Sequence, residues 1–261
     1  MEIRYIDAHC HLQFDEYSED RETVIKQMRE EGVAGIVVGT DLGSSRVAVA
    51  LAEKNEHLFA SVGIHPHHAS DDGLTMSIIH ELAQEPKCVA IGECGLDYFR
   101  DTSRKNEQAA LFRKHIELAT EHNKPLIIHC RPSKGSQDAY QDLIAILKEA
   151  KEKFPGLRGD VHFFVGGIEE AHALIALDFS LSFTAVITFT HDYDEVIRSV
   201  PLSSILSETD APYVSPAARR GKRNDPLAVR DVVARIAEIR GEDAEKVRNS
   251  LVSNAARVFG L

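Results

Sequence analysis

No stretch of this chain runs for the roughly 18 apolar residues that a membrane-spanning helix needs, so no span is expected. The opening "MEIRYIDAH" has no basic segment followed by an apolar run, and it does not read as a secretory signal. Cysteine is sparse. Cys10, Cys88, Cys94 and Cys130 form no C-x-x-C pair, and a chain of 261 residues is large enough to fold without disulfide staples. A reducing cytoplasm is the simplest setting. Positive charge is also short: 30 Lys and Arg against 41 Asp and Glu leave a formal net charge of −11. That balance argues against a protein that coats nucleic acid nonspecifically, although it allows a local basic groove. There is no linker rich in proline, glycine or serine, no repeat and no low-complexity segment. The expectation is one domain over residues 1–261, with no obligatory protein partner.

What is present alternates. Short β-branched runs at 3–9, 34–40, 58–65, 88–94, 125–130, 157–164, 179–186 and 203–210 are separated by amphipathic stretches, among them 20–31, 44–54, 104–122, 137–153, 168–177 and 226–239. The strand candidates are mostly continuous apolar runs, the pattern of strands covered on both faces. Eight strands alternating with helices predict an α/β fold, a single (β/α)8 TIM-type barrel, with a doubly wound open sheet as the rival. The final "EDAEKVRNSLVSNAARVFGL" reads as an amphipathic helix closing the barrel.

The ionisable residues fall at strand ends of one polarity. His9 and His11 end strand one, His65 strand three, Glu93 strand four and His129 strand five; His162 lies near the end of strand six and Asp210 ends strand eight. In a barrel, side chains at the C-terminal strand ends converge on one mouth. A cluster of buried imidazoles and carboxylates is expensive unless something compensates it. Divalent cations are the common compensation, and His with carboxylate suits Zn, Mn, Ni, Fe or Mg. With Glu93 shared, six groups can hold two ions: His9, His11 and Asp210 on one, His129 and His162 on the other. Cys10, Cys94 and Cys130 adjoin these residues and should face the helix layer, since neighbouring strand residues point to opposite faces.

The stretches "IDAHCHL", "VGIHPHH", "IGECGLDYFRD", "PLIIHCRPS" and "SETDAPYVSP", followed by "RRGKRNDP" and the ending "NAARVFGL", resemble the TatD family of metal-dependent deoxyribonucleases. The resemblance covers essentially the whole chain. It implies a TIM-type barrel and a divalent-metal hydrolase of DNA phosphodiester bonds. By position it makes His9, His11, Glu93, His129, His162 and Asp210 metal ligands, and it makes His65 and Arg131 contacts to substrate phosphate. Two departures stand out: Phe163 and Val165 occupy positions where family members commonly carry cysteine and serine, and Asp225 stands where many relatives have glutamate.

The chemistry completes the expectation. Two ions, Mg, Mn or Zn, would neutralise a phosphodiester and activate water, with Glu93 bridging and Asp210 orienting the water or taking its proton. The substrate is expected to be DNA, as single strands or ends. Arg131 offers a planar fork for phosphate oxygens. The run "ARRGKRND" concentrates Arg219, Arg220, Lys222 and Arg223 as a basic loop over the mouth, with Arg223 meeting DNA and Asn224 capping the helix after Pro226. Tyr98 and Phe99 could stack on a base or pack under their loop. His67 and His68 shape a loop, and His191 is unassigned. A metal-dependent hydrolase of esters or amides, such as an aminoacyl-tRNA deacylase, is the alternative activity. A non-catalytic barrel with a structural ion is a third reading.

Overall fold

A computed structural model describes residues 2–68, 74–100 and 102–261. Eight parallel strands form one sheet in sequential order: β1 (Tyr5–Cys10), β2 (Val33–Val38), β3 (Leu58–Val62), β4 (Cys88–Asp97), β5 (Leu126–Arg131), β6 (Gly159–Val161), β7 (Phe179–Phe183) and β8 (Ile205–Ser207). Helices cross over between them: α1 (Arg21–Glu31), α2 (Leu42–Lys54), α3 (Leu74–Leu82), α4 (Lys105–Glu121), α5 (Asp138–Lys153), α6 (Ile168–Ile175), α7 (Asp194–Ser199) and α8 (Val229–Arg240), with α9 (Ala244–Phe259) at the end. This is the (β/α)8 barrel that the alternation predicts. Of the helices, α7 has six residues, too few turns to display a helical period in the sequence.

The seam between β8 and β1 is closed just beyond β8. Cys10 bridges Ala211, and the Asp210 amide donates to the His9 carbonyl at 2.9 Å. Buried Asp7 accepts from both the amide and the hydroxyl of Thr209, at 2.9 and 2.6 Å. Inside the barrel Ile6, Ala8, Ile36, Ala90, Ile127 and Leu206 pack with Val258 and Phe259 of α9. The last helix therefore closes the N-terminal end of the barrel and leaves the mouth at the other end open. All four cysteines are free and buried.

Two bulges decide what the mouth receives. Asp7 pairs with Gly35 but Cys10 with Val37, so β1 carries one extra residue. Ile91 pairs with Leu126 but Cys94 with Ile128, so β4 does too. An extra residue reverses which face the following side chains take. Ile6 and Ala8 face the interior, yet Cys10 joins the layer outside the barrel. Ala90 faces the interior, yet Cys94 joins that outer layer. His9 and Glu93 are thereby turned inward. β5 has no such irregularity, and Ile127 and His129 share the interior face by simple alternation.

Candidate metal centre at the barrel mouth

Glu93 lies inside β4 rather than at its end, because the strand continues to Asp97 in register with β5. Gly92 just before it has φ +154°, and a Cβ there would sit 2.3 Å from the Ile127 carbonyl oxygen, so only glycine lets β4 approach β5 this closely. The two carboxylate oxygens of Glu93 face different neighbours. Oε2 lies 3.5 Å from His9 Nε2 and 3.9 Å from His11 Nε2. Oε1 lies 3.0 Å from His129 Nδ1, 3.0 Å from His162 Nε2 and 3.4 Å from His65 Nε2. Asp210 joins the first set, with Oδ1 3.4 Å from His11 Nε2 and 3.8 Å from His9 Nε2. All six expected ligands and His65 thus meet at one place.

For His11, His129 and His162, an oxygen beside the far nitrogen shows which nitrogen faces the site. His11 Nδ1 donates to the Val38 carbonyl at 2.8 Å, so Nε2 is the nitrogen turned toward the site. His129 Nε2 lies 3.1 Å from Asp97 Oδ2 and donates to it, leaving Nδ1. His162 Nδ1 faces Glu208 Oε1 at 3.4 Å, leaving Nε2. An imidazole backed by a carboxylate or carbonyl in this way is the usual setting of a metal-ligating histidine. His65 is the reverse case. Its Nδ1 accepts the His67 amide at 3.1 Å, and burial brings its pKa down to about 4. At neutral pH the ring is uncharged with its proton on Nε2, which makes it a donor into the site.

The inner nitrogens also lie close in pairs. His129 Nδ1 and His162 Nε2 are 3.2 Å apart, and His9 Nε2 and His11 Nε2 are 3.1 Å apart. Four imidazoles and two carboxylates gathered this closely offer nitrogen and oxygen donors to cations. The donor chemistry therefore fits divalent ions. Burial alone would lift Glu93 and Asp210. The imidazoles of His65 and His162 overcome it at Glu93 and hold that carboxyl well below its usual range, and the hydrogen bond from His11 lowers Asp210. Burial lowers His9. At His162 the nearby Glu93 and Glu208 outweigh burial and hold the ring well above its ordinary value.

Three acidic residues that the strand-end pattern did not single out support the site. Asp97 backs His129 and also lies 3.0 Å from His67 Nε2. Glu208 backs His162 and accepts the Phe163 amide at 2.7 Å. Asp160 shares Ser182 with Glu208. Asp97 stands within the quoted "GECGLDY" and Glu208 within "SETD"; only pairing in space gives them roles. His115 on α4 accepts the Ile64 amide at 3.0 Å and fixes the chain next to His65.

The outer residues are less uniform. Arg131 lines the cavity with its guanidinium 4.0 Å over the ring of Phe99. Tyr98 is buried and donates to Asp142 at 2.9 Å, so it packs under its loop and cannot stack on a base. Arg223 is held by Asp20, at 2.8 and 2.6 Å, and lies over Tyr17; it is not among the cavity-lining residues. Arg219 pairs with Asp225, and Arg220 lies over Phe189. The basic run is thus largely engaged with its neighbours. Asp225, not Asn224, caps the turn after it by accepting from Leu227. Asn224 is buried and donates to the carbonyls of Thr209 and Val214, tying the loop to the end of β8. His191 is exposed beside Asp194 and points away from the mouth.

Fold and donor set together define a barrel hydrolase of the metal-dependent class. The family described as TatD related DNase matches residues 6–260, and the chain belongs to it. It is 38% identical to a protein named metal-dependent hydrolase YabD from Bacillus subtilis, over 98% of each chain. It is 33% identical to one named 3'-5' ssDNA/RNA exonuclease TatD from Erwinia billingiae, again over 98% of each. Among solved structures it matches YJJV, a TatD homologue from Escherichia coli, with TM-score 0.91 and 29% identity over the full length of both.

Proposed function

We propose that the protein is a nuclease that uses two divalent cations, Mg, Mn or Zn, to hydrolyse phosphodiester bonds at the ends of single-stranded DNA. The observation that carries this reading is Glu93, whose two oxygens each face a separate set of imidazoles. His9, His11 and Asp210 would hold one ion with Oε2, and His129 and His162 the other with Oε1. Ions held there would neutralise the phosphodiester and bring a water within reach of deprotonation near neutral pH.

The chain's own groups supply the rest. Asp210, kept ionised by His11, takes the proton of the attacking water as its hydroxyl adds to phosphorus and the bond to the leaving oxygen breaks. Its backbone φ of +52°, rare for a residue other than glycine, is held by hydrogen bonds to His9 and from Tyr213, and this fixes the carboxylate. In this reading His65 and the fork of Arg131 hold the phosphate oxygens, while Arg223 anchors its loop to Asp20. The relatives named as acting on single-stranded DNA and RNA support this substrate class. The whole chain is proposed to act as one unit. Its four free cysteines support a reducing, cytoplasmic setting, and no helix among the described residues is long and apolar enough to cross a membrane.

The test is to strip metal from the protein, add back Mg, Mn or Zn, and follow end-labelled single-stranded and duplex DNA, with carboxylic esters and amides alongside. Cation-dependent shortening of the single strand is expected. Glu93→Ala should abolish it while circular dichroism shows an intact barrel. No cleavage of DNA with any cation overturns the reading.

A further inference from the structure

The cavity over Glu93 has a volume of about 600 Å³, within the usual range for a small-ligand site. Its two halves differ in chemistry. From the end of β5 and the loops after β3 and β4 come Arg131, His65, His67 and Arg100. From the loops after β6, β7 and β8 come Phe163, Val165, Val186 and Val214. The apolar half is not a chance exposure of core residues. Phe163 stands at φ +46°, held there by its amide donating to Glu208. The Val165 amide donates to the Tyr140 hydroxyl at 2.9 Å. Val214 stands at φ +53°, and its carbonyl accepts from Asn224. Two loops, those after β6 and β8, are pinned so that their apolar side chains converge with Val186 beside the Glu93 cluster. Apolar surface gathered in a cleft marks a binding site for an apolar ligand face.

We propose that this apolar half is a subsite for one unstacked nucleobase of the strand being cut. The inference rests on the nuclease reading above and adds how the strand is held. A nucleotide has the same division as the cavity: an anionic phosphate, which Arg100, Arg131 and the His65 donor suit, and a flat base with an apolar face, which Phe163 and the three valines suit. A base can enter only after leaving its stack, which a single strand or a frayed end allows more readily than a duplex. Contact through the face of the base is tolerant of sequence, since every base has one.

The experiment uses the metal-loaded full chain and two single-stranded oligonucleotides with the same phosphates. One carries natural nucleotides throughout; the other carries base-free (tetrahydrofuran) residues on both sides of the bond that is cut. The wild type should cleave the natural strand with kcat/KM about ten- to a hundred-fold higher, the range expected for stacking a single base. Phe163→Ala should bring that ratio toward one. Equal rates on the two strands overturn the subsite while leaving the nuclease reading intact. A folded Phe163→Ala protein that keeps the full ratio also overturns it. Failure to cleave either strand with any cation removes the nuclease reading itself. The wild-type comparison does not depend on any variant folding.

Discussion

Asp160 Oδ2 and Glu208 Oε2 both contact the hydroxyl of Ser182, at 2.7 and 2.6 Å. A hydroxyl has one proton, so it can donate to only one of them, and the other must donate to it. Burial pushes the Asp160 carboxyl well above its usual range, with Glu208 adding to the effect. Asp160 therefore carries a proton and donates to Ser182, which donates to Glu208, whose charge backs His162. Two isosteric changes should then behave differently. Asp160→Asn keeps a donor facing Ser182 and should leave activity within a few-fold of wild type. Glu208→Gln removes the charge behind His162 and should lower metal affinity or turnover by about 10- to 100-fold, the usual effect of losing a ligand's hydrogen-bonded partner. Metal titration and initial rates on both variants check this pair. A larger loss in Asp160→Asn than in Glu208→Gln would reverse the proton assignment.

Among the elements, β4 carries the most constraint. After its bulge it runs so close to β5 that a Cβ on Gly95, at φ +127°, would lie 2.1 Å from the His129 carbonyl oxygen. The neighbour is backbone and belongs to a proposed ligand, so nothing can move aside without shifting the site. Gly95→Ala should destabilise the fold by about 2–4 kcal/mol, read as a lower urea midpoint, and should weaken metal binding more than a distant destabilising change of equal size. The element boundaries show how far patterning reaches. The apolar runs located all eight strands, because both faces of a barrel strand are covered and little else yields such runs. Their ends were less legible: β3 stops at Val62 and β8 at Ser207, so His65 and Asp210 stand on the loops beyond. Those ends depend on pairing with a neighbouring strand, which one segment's sequence does not contain.

For the molecule as a whole, the site is a concentration of imidazoles and carboxylates of the kind that divalent cations bind. Ions that bind the folded chain and not the unfolded one stabilise it by about 4 kcal/mol at a thousand times Kd. A chelator should therefore lower the melting temperature of the wild type by roughly ten degrees, while Glu93→Ala, lacking the shared carboxylate, should melt at nearly the same temperature with or without chelator. Circular dichroism melts decide it; equal chelator shifts in both proteins would mean that stabilising ions bind elsewhere. The barrel, and the six residues bearing imidazole and carboxylate in or just beyond its strands, were legible in the sequence alone, since apolar runs and the order of the motifs are local properties. The direction in which those residues point was not. Simple alternation from Ile6 and Ala8 would send His9 outward, and from Ala90 it would send Glu93 outward. Each is turned inward by a bulge that exists only because a neighbouring strand fixes the register. The partners Asp97 and Glu208, the engagement of Arg223 by Asp20 and the division of the cavity into polar and apolar halves likewise arise between segments far apart in the chain, where only tertiary packing sets the distances.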